Sequence, residues 1–336
     1  MILIGWDEAG YGPPLGPLVV AVSAWRVPDD CPCLSLYHRL RRFISPAPPE
    51  PDNAGPVPPL WIADSKLVHG RGGFSELERG VLSLSRVAAE WLARQSASPT
   101  VASHQPVSTD LLNFLAGLGM FPDSTRQPWE WREECALPLA QTPEELFPAD
   151  KLARELRNES VELLQLRAAA LWPAEYNAQL ARNAQNKSLL LFDVGAKLVR
   201  ELLNQYAAEP VEIFADKQGA RNRYGAMLQN EWELDWINVE LESQEASHYT
   251  WRTDGVSRGA HFLVNGERAL PTAAASMTAK YVRELAMRGW NHFWCGQMEQ
   301  LRPTAGYTVD ARRFILEIRP RLSELAIADE QVIRWK

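Results

Sequence analysis

MILIGWDEAGYGPPLGPLVVAVSAW, residues 1–25, sets two short apolar runs, 2–6 and 18–25, on either side of a segment rich in glycine and proline. Runs of that length bounded by such a segment read as two strands joined by a tight loop. Asp7 and Glu8 stand at the mouth of the loop. Adjacent carboxylates at a strand end repel each other and lose hydration unless a cation or solvent meets them. An Asx turn closing the strand is the plain structural alternative. Neighbouring residues of an ideal strand point to opposite faces, so both carboxylates reach one site only if the strand twists or ends there. Gly10, Gly12 and Gly16 leave room for a substrate to approach the main chain.

Outward from this stretch, residues 46–59 carry prolines at 46, 48, 49, 51, 56, 58 and 59, which makes an extended surface excursion. It leads into an apolar step and Asp64-Ser65-Lys66. Residues 74–94 place Leu77, Val81, Leu84, Val87, Ala88, Trp91 and Leu92 at helical spacing. Residues 96–146 mix proline, polar residues and isolated aromatics, and fit either a loop-rich insertion or a third strand with a short helix. A helical pattern resumes over 148–171, Pro173 ends or restarts it, and 175–206 is the longest regular stretch.

The pattern changes at Pro210. VEIFADKQG (211–219) reads as a strand ending in Asp216, 222–232 as a helix, and DWINVELES (235–243) as a second strand of the same kind. Strand, helix, strand is the signature of a parallel crossover, with both carboxyl ends on the edge where ligands gather. A hairpin through 250–264 precedes Gly266 and Glu267, and then a long helix over 271–288. There Ala273, Ala274, Ala275 and Ser276 imply close packing on the sheet. The whole reads as one α/β domain over 1–336, with elaborations at about 44–60, 96–150 and 246–265 and a helical part at about 290–336.

The 336 residues, 46% hydrophobic and 23% charged, are those of an ordinary globular protein. No apolar run has the length of a bilayer span and the first residues lack an export pattern, so a cytoplasmic protein without a membrane partner is expected. Cys31, Cys33, Cys135 and Cys295 show no metal-site spacing. A net charge of −7 argues against a protein that coats nucleic acid, while leaving room for a local basic groove or for metal ions that hold phosphates. Trp129 and Trp131 could stack on bases, but the neighbouring Glu130, Glu133 and Glu134 favour a packing role. His248, His261 and His292 occur singly.

Asp7 with Glu8, Asp216 at a strand end and Glu267 before a helix make an oxygen-only donor set of the kind that suits magnesium or manganese. Two such ions about 4 Å apart can activate a water and stabilise a leaving oxygen in phosphodiester hydrolysis. Spacing alone is not specific, because 42 acidic residues supply many such placements.

More specific is the run of motifs. GWDEAGYGPPLGPLVVAV (5–22), ADSKLV (63–68), NKSLLLFDVGAKLVREL (186–202), FAD (214–216) and PTAAASMTAKYVREL (271–285) together resemble, in order across most of the chain, ribonuclease HII and the related type HIII enzymes. The family resemblance implies a ribonuclease H-like mixed five-stranded sheet with flanking helices, here with insertions. It implies metal-dependent cleavage of RNA in RNA/DNA hybrids or at ribonucleotides in DNA, with two Mg2+ or Mn2+ ions. Asp7, Glu8 and Asp216 would be metal ligands and catalytic residues. The fourth would be Glu267, where the family usually has aspartate, with Glu242 as its rival and Glu245 close by.

By the same resemblance Gly10, Tyr11, Gly12, Lys66 and Tyr307 of the TAGY segment would meet the nucleic acid. For Lys66 the alternative is a solvated lysine or a supporting ion pair, for Tyr307 a packed tyrosine; Lys217 and Lys280 carry the same ambiguity. The family's Gly-Arg-Gly loop is Gly10-Tyr11-Gly12 here, which implies a recognition shifted from single ribonucleotides toward longer hybrid tracts; a phenol stacks but cannot replace guanidinium at a phosphate. The chain is expected to be a monomer. A catalytically inactive nucleic-acid- or protein-binding relative, or a metal-dependent DNA nuclease on the same sheet, are the alternative functions.

Overall fold

β1 (Ile2–Ala9) and β2 (Leu18–Arg26) form the antiparallel pair expected of the opening stretch, in register from Ile2–Arg26 to Ala9–Val19. A computed structural model describes residues 1–335 apart from 30, 32, 50–57, 96–109, 123–125, 132–134, 141, 143, 144 and 220. Most of the proline excursion, much of the 96–146 stretch, and Glu133 and Glu134 therefore lie outside the described residues.

The chain continues through α1 (Leu36–Leu40), the short parallel pair β3 (Ile44–Ser45) and β4 (Leu60–Trp61), and α2 (Ser65–Gln95), which is interrupted at Gly73. Next come α3 (Leu111–Gly117), α4 (Ala149–Asn158), β5 (Glu162–Leu171), α5 (Pro173–Arg182) and α6 (Lys187–Gln205). They are followed by β6 (Val211–Asp216), α7 (Gly225–Glu231), β7 (Asn238–Glu242), β8 (Ala246–Thr253) and β9 (Val256–Leu263). A single 3-10 turn (Gly266–Arg268) then leads into α8 (Leu270–Gln297), α9 (Thr308–Glu324) and α10 (Asp329–Val332). Among the described residues no helix is long and apolar enough to cross a membrane.

The main sheet has seven strands in the order β5-β2-β1-β6-β9-β8-β7. Its first five make the expected mixed sheet: β5, β2 and β1 alternate in direction, while β6 and β9 run parallel to β1. The β8–β9 hairpin, turning at Asp254 and Gly255, brings in β9 and extends the edge with β8 and β7.

Three local expectations change. Residues 148–171 are not one helix: α4 stops at Asn158, Ser160 turns with φ 57°, and β5 follows. ELLQLRAAAL is made of good helix formers, but the run lies against β2, and pairing along its full length outweighs local propensity. Residues 175–206 divide at Ala184 and Gln185, both at positive φ, and Asn186 caps α6 by accepting from the amides of Ser188 and Leu189. The parallel neighbour of β6 is β9, not the 235–243 segment; β7 points the same way but lies two strands further out.

Apolar side chains fill both faces of the sheet. Trp6 packs on the face covered by α5 and α6, its ring occupying the space that any side chain at Gly195 would need; an added Cβ would lie 2.0 Å from it. On the other face, α8 and α2 cover Leu3, Val19, Ala21 and Trp25. Trp129 and Trp131 belong to this second core, packed with Trp172, Trp290 and Trp294, so they are packing residues.

Sheet and helix approach closely at Gly5, where a Cβ would stand 1.9 Å from the Pro271 carbonyl carbon. Backbone cannot yield as a side-chain tip can. Gly5→Ala is therefore expected to destabilise by about 3 kcal/mol or more. Gly12→Ala, with nothing within 4 Å of the new Cβ, should change stability by less than about 0.5 kcal/mol. Urea unfolding of both variants checks this, and equal midpoints would contradict it.

Candidate active site

The parallel register of β1 and β6 runs from Ile2–Val211 to Trp6–Ala215, so the next residues on the two strands are Asp7 and Asp216. Adjacent strands lie about 4.8 Å apart, which makes these two carboxylates neighbours at the sheet's carboxyl edge. Both follow the alternation to the α8 face, since Leu3 and Phe214 pack into that core. Asp7 is 6% exposed and Asp216 half-buried.

Glu267 arrives from the other side of β6. The β6–β9 pairing ends at Asp216–Leu263, and Asn265 turns the chain at φ 56°. The amide of Gly266 then donates to Asp216 Oδ1 at 3.0 Å. Gly266 lies against the end of β6 so closely that a Cβ would be 2.8 Å from the Asp216 nitrogen. Glu267 follows immediately, half-buried.

The electrostatics tie the group together. Burial raises the Asp7 pKa well above the usual carboxylate value, and Glu8 and Glu267 add to the rise; a Ser276 hydrogen bond and the Glu8 amide, at 2.8 Å, oppose it. Glu8 is pushed up to about 7 by burial, with Asp216 and Glu267 adding and Lys66 opposing. Burial is also the main cause of the raised values of Asp216 and Glu267, and Asp216 repels Glu267. These are carboxylates close enough to resist each other's ionisation.

The 63–68 segment supplies the counter-charge. Asp64 Oδ1 accepts from the Lys66 amide at 2.8 Å and starts α2. Burial works against the Lys66 ammonium, but Asp64, Asp7, Glu267 and Glu8 together hold its pKa above the usual lysine value. Ser65 and Ser276 join α2 to α8 with their hydroxyl oxygens 3.1 Å apart, and Ser276 lies near enough to Asp7 to lower its pKa. Neither serine stood out in the sequence as a site residue. The available signal was one polar residue in the small apolar run 273–276, on the face that α8 turns to the sheet.

Other candidates lie elsewhere. Glu242 accepts from the Tyr249 hydroxyl at 2.6 Å and faces Arg223 at 3.6 Å, away from the carboxylates of β1 and β6. Lys217 donates to Asn222 Oδ1 and the Ser243 carbonyl, and Lys280 pairs with Glu284. Tyr11 is half-buried beside the site; burial and Glu8 raise its pKa while Arg221 opposes them. Tyr307, 51% exposed, lies 5.5 Å from the Arg283 guanidinium.

Among the described residues, no three His, Cys, Asp or Glu side chains are gathered tightly enough to enclose a metal ion. Asp7, Glu8, Asp216 and Glu267 share an electrostatic field rather than a closed shell. The donor chemistry nonetheless suits a hard divalent cation, which takes oxygen ligands and keeps water in several positions. Carboxylates whose mutual repulsion raises their affinity for protons gain equally from a cation.

No protein-family profile matches the sequence, and no curated protein matches it. Solved structures similar to this one include ribonuclease HII of Archaeoglobus fulgidus, determined in complex with PCNA. It is 14% identical, with a TM-score of 0.39 over 100% of this chain and 96% of that one. Ribonuclease H3 of Aquifex aeolicus is 13% identical, with a TM-score of 0.43 over 99% of this chain and 71% of that one. Ribonuclease H2 of Pyrococcus horikoshii is 13% identical, with a TM-score of 0.39 over 99% and 92%. These are ribonucleases of the HII and HIII kind, to which this chain is similar in structure at low sequence identity.

Proposed function

We propose that this protein is a metal-dependent endoribonuclease that hydrolyses the RNA strand of RNA/DNA hybrids. The observation that supports the reading is that Asp7 and Asp216 are neighbours at the carboxyl ends of two adjacent parallel strands, with Glu8, Glu267 and Lys66 within electrostatic reach. Those residues come from the DEAG, DSK and FAD segments and the turn before the AAAS helix, which is where the family resemblance would put a nuclease site.

In this reading Asp7, Glu8, Asp216 and Glu267 hold Mg2+ or Mn2+. Bound there, the ions supply the activated water and the charge that stabilises the departing oxygen. The chain's own groups do the rest. The Glu8 amide, at 2.8 Å, holds Asp7 Oδ1, and Ser276, bonded to Ser65, lies beside that carboxylate. The Gly266 amide fixes Asp216 from one side. Lys66 offsets carboxylate charge and, exposed, is free to pair with a phosphate of the strand. The loop after Glu8, with Gly12 open on its outer side, lets a sugar-phosphate backbone reach the main chain. Tyr11 offers a ring to a sugar or base.

Purified protein with magnesium or manganese is expected to cut a labelled RNA/DNA hybrid on the RNA strand. D7N, D216N and E267Q should each lose about a thousandfold in rate, about 4 kcal/mol of transition-state stabilisation, while E242Q stays within about threefold. A hybrid left whole under both metals would sink the proposal. Activity that survives E267Q and disappears in E242Q would move the fourth ligand to β7.

Metal binding has its own readout in stability. Without divalent ions, D7N should melt at or above the wild-type temperature, because it removes one of several charges that repel each other and keeps an acceptor for the Glu8 amide. At an ion concentration a hundredfold above Kd the wild type should gain about 2.7 kcal/mol, and D7N much less. Thermal unfolding in chelator and in manganese measures both. Equal shifts in the two proteins would place the ion elsewhere.

A further inference from the structure

The loop of residues 10–17 is fastened from behind by two buried guanidinium groups. Arg334, 3% exposed, donates Nη2 to the Gly10 carbonyl at 2.6 Å and to the Pro13 carbonyl, and its own amide donates to the Pro14 carbonyl at 2.8 Å. Arg283 of α8, 1% exposed, donates Nη2 to the carbonyls of Leu15 and Ala305, each at 3.2 Å. Its Nε lies 2.4 Å from where a Cβ on Gly10 would be. Four loop carbonyls, those of Gly10, Pro13, Pro14 and Leu15, are thus drawn toward the interior.

This is an expensive way to hold a loop. Neither guanidinium has a salt bridge among the described residues, and Nε and Nη1 of each find no acceptor. Burial, with the like charge of Arg283 adding and the Tyr176 phenol opposing, brings the Arg334 pKa down to about 9. Two buried cations satisfied chiefly by main-chain carbonyls are less stable than an apolar filling of the same volume. What the arrangement provides is orientation. In a planar trans peptide, a carbonyl drawn inward turns the next N–H outward. The Gly10 carbonyl therefore turns the amide of Tyr11, a half-buried residue, away from the arginines, while Leu15 and Gly16 are themselves buried. Tyr11 is three residues beyond Glu8.

The segment that carries Arg334 is itself fixed. Asn177 of α5, 2% exposed, donates Nδ2 to the carbonyls of Glu330 and Ile333 and accepts from the Trp335 amide at 2.8 Å. The Arg334 guanidinium lies 4.8 Å from the Tyr176 ring centre. Loop, α5 and the segment after α10 form one unit.

We propose that Arg334 is a positioning residue for the nucleic acid: it holds the 10–17 loop in the one arrangement that meets the strand beside Glu8. The proposal rests on the hydrolase reading above. Its test uses the full chain as wild type, R334M, R334K and V199A, the last a buried α6 change that lowers stability without touching the loop. Amide hydrogen exchange over 10–17 should quicken at least tenfold in R334M, less in R334K, and remain at the wild-type rate in V199A. On an RNA/DNA hybrid, R334M should raise KM at least tenfold with kcat within about threefold, and R334K should recover part of the loss; V199A should leave KM unchanged. A wild type that cuts, with R334M matching V199A in both exchange and KM, overturns the role of Arg334 alone. A wild type that leaves the hybrid uncut overturns the hydrolase reading and this role with it.

Discussion

The first turn of α8 rests directly on the middle of the sheet, and the rest of the structure depends on that contact. Three strands grip it. Ser23 of β2 donates to the Pro271 carbonyl at 2.7 Å, Gly5 of β1 has no side chain to hold the helix off, and Thr272 donates to the Phe214 carbonyl of β6 at 2.9 Å. Ala273, Ala274 and Ala275 follow, all fully buried. A helix seated so closely cannot slide or roll without breaking a buried hydrogen bond or meeting backbone. Residues on either side of the contact are placed as a result: the turn with Glu267 before it, Ser276 one turn after it, and Arg283 two turns beyond that. One packing constraint thereby brings a carboxylate, the support of another carboxylate and the fastening of the loop to the same edge of the sheet.

That edge concentrates a charge problem which the other end of the molecule does not have. At the far end of β2, Arg26 bridges Glu162 and Glu209 at 2.9 and 2.8 Å, so these three charges offset one another. At the carboxyl edge several acids share Lys66, and burial raises the pKa of each. A protein selected only for stability gains nothing by keeping them, since like charges at low solvation oppose folding. The hydrogen bonds around them orient the acids without neutralising them: the Glu8 amide to Asp7 and the Gly266 amide to Asp216 both favour the ionised form.

Much of this could be read in the sequence where local chemistry and tertiary demand agree. The β1–loop–β2 unit, the strand ending in Asp216, the hairpin before Gly266 and the small-residue helix all carry their own signals in turn residues and periodicity. Where the two disagree, reading fails. ELLQLRAAAL has helical composition and becomes β5 because β2 presents an unpaired edge along its full length. The 235–243 segment has the right distance from β6 for a crossover, yet the β8–β9 hairpin doubles back and takes the place beside β6. Glu267 and Glu242 could not be separated by spacing; in the fold Gly266 brings the chain before Glu267 against Asp216, while Glu242 accepts from Tyr249. Arg283 and Arg334 were silent for another reason. Arginine is ordinarily a surface residue, and nothing in one dimension marks a buried one.

The distribution of charge also bears on how an acidic chain could hold a polyanion. In front of the 10–17 loop lie Asp7, Glu8, Asp216 and Glu267 with Lys66; behind it lie two guanidinium groups whose donors are turned partly to the loop's own carbonyls. The front is net negative, so a phosphate strand and the bare site repel each other. If the hydrolase reading holds, divalent ions must lower that repulsion before or as the strand arrives. Substrate and metal would then bind with positive coupling, each raising the affinity for the other by the same factor. The positive groups behind the loop cannot supply that compensation at contact distance, because they are buried and engaged. Their part is geometric, and the division follows from the fold: α8 and the segment after α10 set the loop's shape, while the strand ends set its charge.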